Sequence, residues 1–260
     1  MTRPHPRRFL RLFTTALLAL QGPAALAQVT LKPDGQWRML LTAGLNLNSG
    51  NTRTNALNLA LDSVRATDSS KWSAAAQALY ATNAGQTTGE RVAVTTQYNG
   101  DIEPWRSSFA FVQAAGVRDR PANLGERLSA TTGFGLHLMR QTDQFWDVWA
   151  GVAVAREHYV RAVDIDGRLR TRSTDTGLVL AQESSLVLTA TTKLRQKLVL
   201  LPSVRDSNLV RTEFDGEVSV AVSERINLST GLRLRHTTKP APGLRGLDAA
   251  LVTGLAMRFD

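Results

Sequence analysis

The 260-residue chain contains no cysteine. That excludes a disulfide framework, a thiolate metal site, a cysteine nucleophile and the acylated N-terminal cysteine of a lipoprotein. Histidine is scarce too: only His137, His158 and His236 lie beyond residue 27, and none stands two residues from a serine. Beyond residue 27 there is also no apolar run approaching the roughly 20 residues that a spanning helix needs. An exported chain of this kind is therefore either soluble or crosses a membrane as a closed barrel.

Export is read from the first residues. Arg3, Arg7, Arg8 and Arg11 precede the apolar run Phe13 to Leu20, which is followed by the small-residue site Ala25-Leu26-Ala27. This is the layout of a cleaved secretory signal, so residues 1–27 are set aside and residues 28–260 form one domain. Without those four arginines the net charge falls from +9 to +5, with 27 Lys and Arg against 22 Asp and Glu. No motif of interleaved basic and aromatic residues is present, and nucleic acid is not an expected partner.

What the mature part does have is alternation. In the last segment Ala249, Leu251, Thr253, Leu255, Met257 and Phe259 share one face, and Asp248, Ala250, Val252, Gly254, Ala256 and Arg258 the other. A period of two is that of a strand. The pattern recurs about twelve times, at 36–48, 53–66, 71–82, 90–99, 105–118, 126–139, 145–160, 175–188, 192–201, 209–222, 226–236 and 247–259. The expected fold is all-β: an antiparallel transmembrane β-barrel of about 12 strands. Connections after odd strands are expected to be long (83–89, 119–125, 161–174, 202–208 and 237–246), and those after even strands tight (67–70, 141–144, 189–191 and 223–225).

Trp37, Trp72, Trp105 and Trp146 fall at or near the starts of odd strands, with Tyr98 and Phe259 ending even ones. This places them in one aromatic girdle on the periplasmic side.

The segment from Trp37 to Leu47, followed by Asn48-Ser49-Gly50-Asn51-Thr52, resembles the YdiY-like family of salt-induced outer membrane proteins. The likeness continues through Thr132 to Leu136 and the closing strand into Phe259. It implies an outer membrane barrel of unestablished activity. Such barrels end on the aromatic residue, whereas this chain adds Asp260. Independently of the family, Gly50 and Asn51 suit a tight hairpin because they tolerate positive φ.

The strongest constellation is electrostatic. Lys193, Arg195 and Lys197 share the polar face of strand 9, Glu213, Asp215 and Glu217 that of strand 10, and Arg233 and Arg235 that of strand 11. The tight turn at 223–225 sets Asp215 opposite Arg233 and Glu213 opposite Arg235. A similar register sets Lys197 and Arg195 against Asp215 and Glu217. Such pairs contribute roughly 0.2–1 kcal/mol each. The ladder either braces a plugged lumen or offers surplus cations to a passing anion. The connection 161–174 carries Arg161, Arg168, Arg170 and Arg172, which suit lipopolysaccharide phosphates or a solvated loop. Its Asp164-Ile165-Asp166-Gly167 lacks the later ligands of a calcium loop.

The expectation is therefore an outer membrane barrel of a Gram-negative bacterium with periplasmic termini, passing small solutes or anions or serving a structural role. Lipids, possible lipopolysaccharide and the barrel assembly machinery are its partners. The alternatives are a surface-binding barrel acting through its loops and, with no residue pattern to support it, a barrel lipid hydrolase. No cofactor or metal is expected.

Overall fold

The computed structural model describes residues 32–48, 54–102, 107–141, 144–165, 167–223, 225–240 and 246–259. The expected signal segment, Gly50, Asn51, Trp105, Asp166 and Asp260 lie outside the described residues.

Twelve strands follow one another: β1 (Trp37–Asn48), β2 (Thr54–Ala66), β3 (Ser70–Asn83), β4 (Gln86–Asp101), β5 (Ser108–Asp119), β6 (Leu124–Arg140), β7 (Phe145–Ile165), β8 (Arg168–Val187), β9 (Thr192–Pro202), β10 (Val210–Ala221), β11 (Ile226–Thr237) and β12 (Leu247–Phe259). Each pairs antiparallel with its chain neighbours, and β12 returns to pair with β1, Met39 opposite Phe259, which closes the barrel. The closing seam is made by five residue pairs, Met39 to Ala43 with Phe259 to Leu255, and closure removes the free strands of an open sheet.

Alternation decides which side chains face out. On β2 Leu57, Leu59 and Leu61 are exposed while Ala60 and Val64 are buried. On β6 Leu128, Phe134, Leu136 and Leu138 point outward, and Ser129, Thr131 and Gly135 inward. No Asp, Glu, Lys or Arg faces outward from Leu57 to Leu61, Val92 to Tyr98, Leu128 to Leu138, Trp146 to Val154 or Leu228 to Leu234. Trp37 and Trp72 (ring centroids 6.0 Å apart) and Trp72 and Tyr98 (6.2 Å) adjoin on the outer surface near the end where the chain enters and leaves. Trp146 and Phe259 are exposed on outward positions near that same end.

The apolar interior is small. Phe109, Phe111, Trp149 and Val179 form one buried cluster on the β5–β8 side, with Leu40 and Ala256 a second. Beside the first cluster β6 and β7 approach closely where Gly133 lies opposite Gly151. A Cβ added at Gly133 would sit 2.1 Å from the Ala150 carbonyl oxygen, so only glycine fits.

The region 161–174 corrects the sequence reading. It is a continuation of β7 and β8 with the turn at Gly167, whose φ is +74°, and Arg168, Arg170 and Arg172 belong to β8. Polar residues on both faces hide a strand from a search for alternation. The connections expected at 83–89 and 119–125 likewise shorten, because β3 and β4 extend to Asn83 and from Gln86, and β5 and β6 to Asp119 and from Leu124. The asymmetry between the two ends of the barrel lies in strand overhang as much as in loop length.

Candidate functional site: a charged lumen divided by two cross-barrel bridges

The register places the ladder as expected on one side. Asp215 stands opposite Arg233 and Glu213 opposite Arg235 across β10 and β11, and both pairs make ionic contact, at 3.7 Å and 3.4 Å. Arg235 also reaches Asp215 at 3.0 Å.

On the other side the register holds but the pairs change. Asp215 lies opposite Lys197 and Glu217 opposite Arg195. Arg195 instead turns to Glu183 of β8, with Nη2 2.6 Å and Nε 3.0 Å from the same carboxylate oxygen. Lys197 stands opposite Asp215 on one neighbour and Glu183 on the other. Each of those carboxylates is taken by an arginine, whose planar fork of donors holds a carboxylate better than a single hydrated ammonium does. Lys197 makes no ion pair among the described residues; its ammonium lies 5.5 Å from the centroid of the Trp149 ring. Lys193 faces the lumen opposite Ser219, a residue with no charge to offer.

Two bridges cross the lumen, and both end on β7. At the end bearing the termini, Lys71 of β3 reaches Asp147 at 3.3 Å and lies 4.8 Å from the centroid of the Phe145 ring. Asp147 also holds His137 Nδ1 at 2.7 Å, His137 Nε2 is 3.3 Å from Asp101, and Arg140 donates to Asp101 at 2.5 Å. Phe109 stacks on His137 with centroids 4.7 Å apart. At the opposite, distal end, Glu157 receives Arg127 at 2.7 Å and Arg211, from β10, at 2.8 Å. Tyr159 donates to the same carboxylate. Arg211 lies 3.9 Å from Asp175, which accepts from the Ser203 hydroxyl at 2.7 Å.

Between the bridges lies a cavity of about 380 Å³, and below the first is a second of about 290 Å³; Lys71 and Phe145 border both. Eight basic and six acidic side chains line the larger cavity. Its two walls differ. The β8–β11 wall carries the ladder together with Glu183. Asp62 of β2 lies within electrostatic reach of Arg195, Arg233 and Lys197. The middle of the β3–β6 wall carries small and neutral side chains, among them Gln77, Thr95, Gln113 and Ser129.

Of the histidines, His137 faces the lumen as its parity predicts, held between two aspartates. His236 is exposed on the outer surface, opposite Leu247. Arg161, Arg168, Arg170 and Arg172 are exposed on the overhanging hairpin, remote from the ladder. Sequence reasoning missed Glu183, Asp62, Trp149 and all four ends of the bridges, Lys71, Asp147, Glu157 and Arg211. Their inward parity was available as a signal; their pairing across the lumen was not.

Among solved structures, a NanC porin is 10% identical with a TM-score of 0.48, covering 86% of this chain and 100% of its own. The β domain of the Bordetella autotransporter BrkA is 13% identical with a TM-score of 0.36, covering 86% and 97%. A bacterial polysaccharide outer membrane secretin is 11% identical with a TM-score of 0.36, covering 92% and 95%. No curated protein matches. The family model described as "Protein of unknown function, DUF481" matches residues 41–259, and the chain belongs to that family.

Proposed function

We propose that this is an outer membrane barrel that lets small polar solutes pass through a narrow, internally braced lumen. The observation that carries the reading is the stacking of two cavities with the Lys71–Asp147 bridge between them. Membrane residence is supported by the outward apolar surface, which carries no charge over its middle and is bordered by Trp37, Trp72, Tyr98 and Trp146. A water-soluble barrel would expose no such continuous apolar belt, and aromatic borders are the mark of a membrane interface.

On this reading the aromatic end is periplasmic and the overhanging hairpin extracellular. Residues 1–27 direct export, and the chain around Phe259 is what the assembly machinery meets. Ser49-Gly50-Asn51-Thr52 supports placing the chain in the YdiY-like branch. The same reading makes it a passive barrel rather than a lipid hydrolase, in keeping with His137 being held by carboxylates and not by a hydroxyl. Anion preference rests on Lys197 and Lys193, because the arginines of the ladder are committed to carboxylates.

Conductance of the refolded chain in a planar bilayer under a salt gradient tests the reading. Small, steady steps are expected; a folded barrel silent both as wild type and as Lys71→Ala overturns it. A second reading has one observation in its favour, the exposure of Arg168, Arg170 and Arg172 on a hairpin that projects beyond its neighbours. Guanidinium groups there suit lipopolysaccharide phosphates, and loss of lipopolysaccharide binding on deletion of residues 163–172 from a folded barrel is its test.

A further inference from the structure

The larger cavity has two walls of different chemistry, and each has groups left open. Of the eight cations that line the cavity as a whole, seven make ion pairs within 4.0 Å: Lys71, Arg91, Arg127, Arg195, Arg211, Arg233 and Arg235. Lys197 is the exception among the described residues. It is spare for a structural reason, since arginines take both carboxylates that its register offers. Its ammonium rests over Trp149, a contact that leaves its hydrogen-bonding directions unfilled by protein.

On the facing wall Gln77, Thr95, Gln113 and Ser129 project inward from four consecutive strands. Among the described residues none of these four side chains has a hydrogen-bond partner, and none is charged. Such a row of amides and hydroxyls offers several neutral hydrogen bonds to a guest and favours one carrying hydroxyls of its own. At about 380 Å³ the space falls in the range of roughly 300–1,000 Å³ common for small-molecule sites.

We infer that this cavity binds a small hydroxylated organic anion, with a carboxylate on Lys197 and hydroxyls against Gln77, Thr95, Gln113 and Ser129. It names the solute class for the passage proposed above, and so rests on that reading for its purpose. Asp62 and Glu217 are lining carboxylates without an ion pair within 4.0 Å among the described residues, and both lie within reach of Arg195 and Arg233.

The test is calorimetric titration of the full refolded barrel with three six-carbon-scale probes. Gluconate carries the charge and the hydroxyls, hexanoate the charge alone, and N-methylglucamine the hydroxyls with the opposite charge. Gluconate is expected to saturate and to quench Trp149, a signal absent in Trp149→Phe. Hexanoate and N-methylglucamine bind at least about tenfold more weakly, and Lys197→Met weakens gluconate by about tenfold, the scale of one charge-assisted hydrogen bond. Gln113→Leu with Thr95→Val weakens gluconate but not hexanoate. No saturable heat with gluconate in a folded barrel overturns the site. So does equal affinity in Lys197→Met, equal affinity for hexanoate, or preference for N-methylglucamine. A conducting barrel that binds none of the probes overturns the site and leaves passage standing; a silent barrel that binds gluconate through Lys197 does the reverse.

Discussion

The two bridges differ in how tightly they are made. The distal one gathers two arginines and a tyrosine on a single buried carboxylate, Glu157. The other, facing the termini, rests on one lysine, whose flexible stem spans from β3 to Asp147 and over Phe145. Arginines in a rigid fork geometry fix a distance, whereas an ammonium on four methylenes can let go and return. The distal bridge is thus a brace and the other a latch, and β7 is the beam that carries both.

The beam itself is the first thing to break. Gly133→Val pushes a side chain into the Ala150 carbonyl, where even a Cβ has only 2.1 Å. A loss of more than about 3 kcal/mol is expected, beyond the usual cost of overpacking because backbone must move. Both bridges fail together, and the heat-modifiable folded band disappears on electrophoresis.

Next in size is Glu157→Ala, which strands Arg127 and leaves Arg211 only Asp175 at 3.9 Å. Removing one member of a buried ionic cluster costs about 3–5 kcal/mol. The urea midpoint falls accordingly; a shift under about 1 kcal/mol, the worth of an exposed pair, would make the brace no stronger than a surface contact.

Lys71→Ala sharpens the contrast. Stability falls by less than in Glu157→Ala, because the buried Asp147 keeps His137 at 2.7 Å, yet the two cavities join and single-channel conductance rises several-fold. Unchanged conductance with unchanged stability would deny the latch.

The smallest effect is at the distal rim, where Lys239 meets Asp206 at 2.5 Å. The hydrogen bond from Lys239 holds the exposed Asp206 carboxyl below its ordinary range. Because the folded value is depressed, the tie is fully present above the unfolded carboxylate value of about 3.9 and fades as pH falls through the folded one. The protection of amides in residues 203–209, taken relative to their intrinsic exchange rate at each pH, is therefore expected to fall in acid for the wild type, while Asp206→Asn lacks that protection at every pH.

How much of this was written in the sequence depends on distance along the sheet. Strand positions and the pairing of Asp215 with Arg233 follow from period-two alternation and tight turns, because neighbouring strands share a local register. The choice of Arg195 for Glu183 rather than Glu217 requires weighing the neighbours on both sides at once. Contacts such as Lys71 with Asp147, 76 residues apart, depend on closure and on the width of the lumen, which no local pattern encodes. The overhang of β7 and β8 was missed for another reason: both its faces meet water, so nothing alternates.

That overhang has a practical side. The ladder between β6 and β7 ends at Leu124 with Tyr159, and Asn123 still bonds Val160 and Arg161, so it is Val163 to Ile165, paired with Arg170 to Arg168, that stand clear of the wall, along roughly 10 Å of strand. A protease cutting at Gly167 severs no bond that the barrel wall needs, and the nicked chain should migrate as an intact barrel until boiled. The same turn is accordingly the place to splice a reporter peptide.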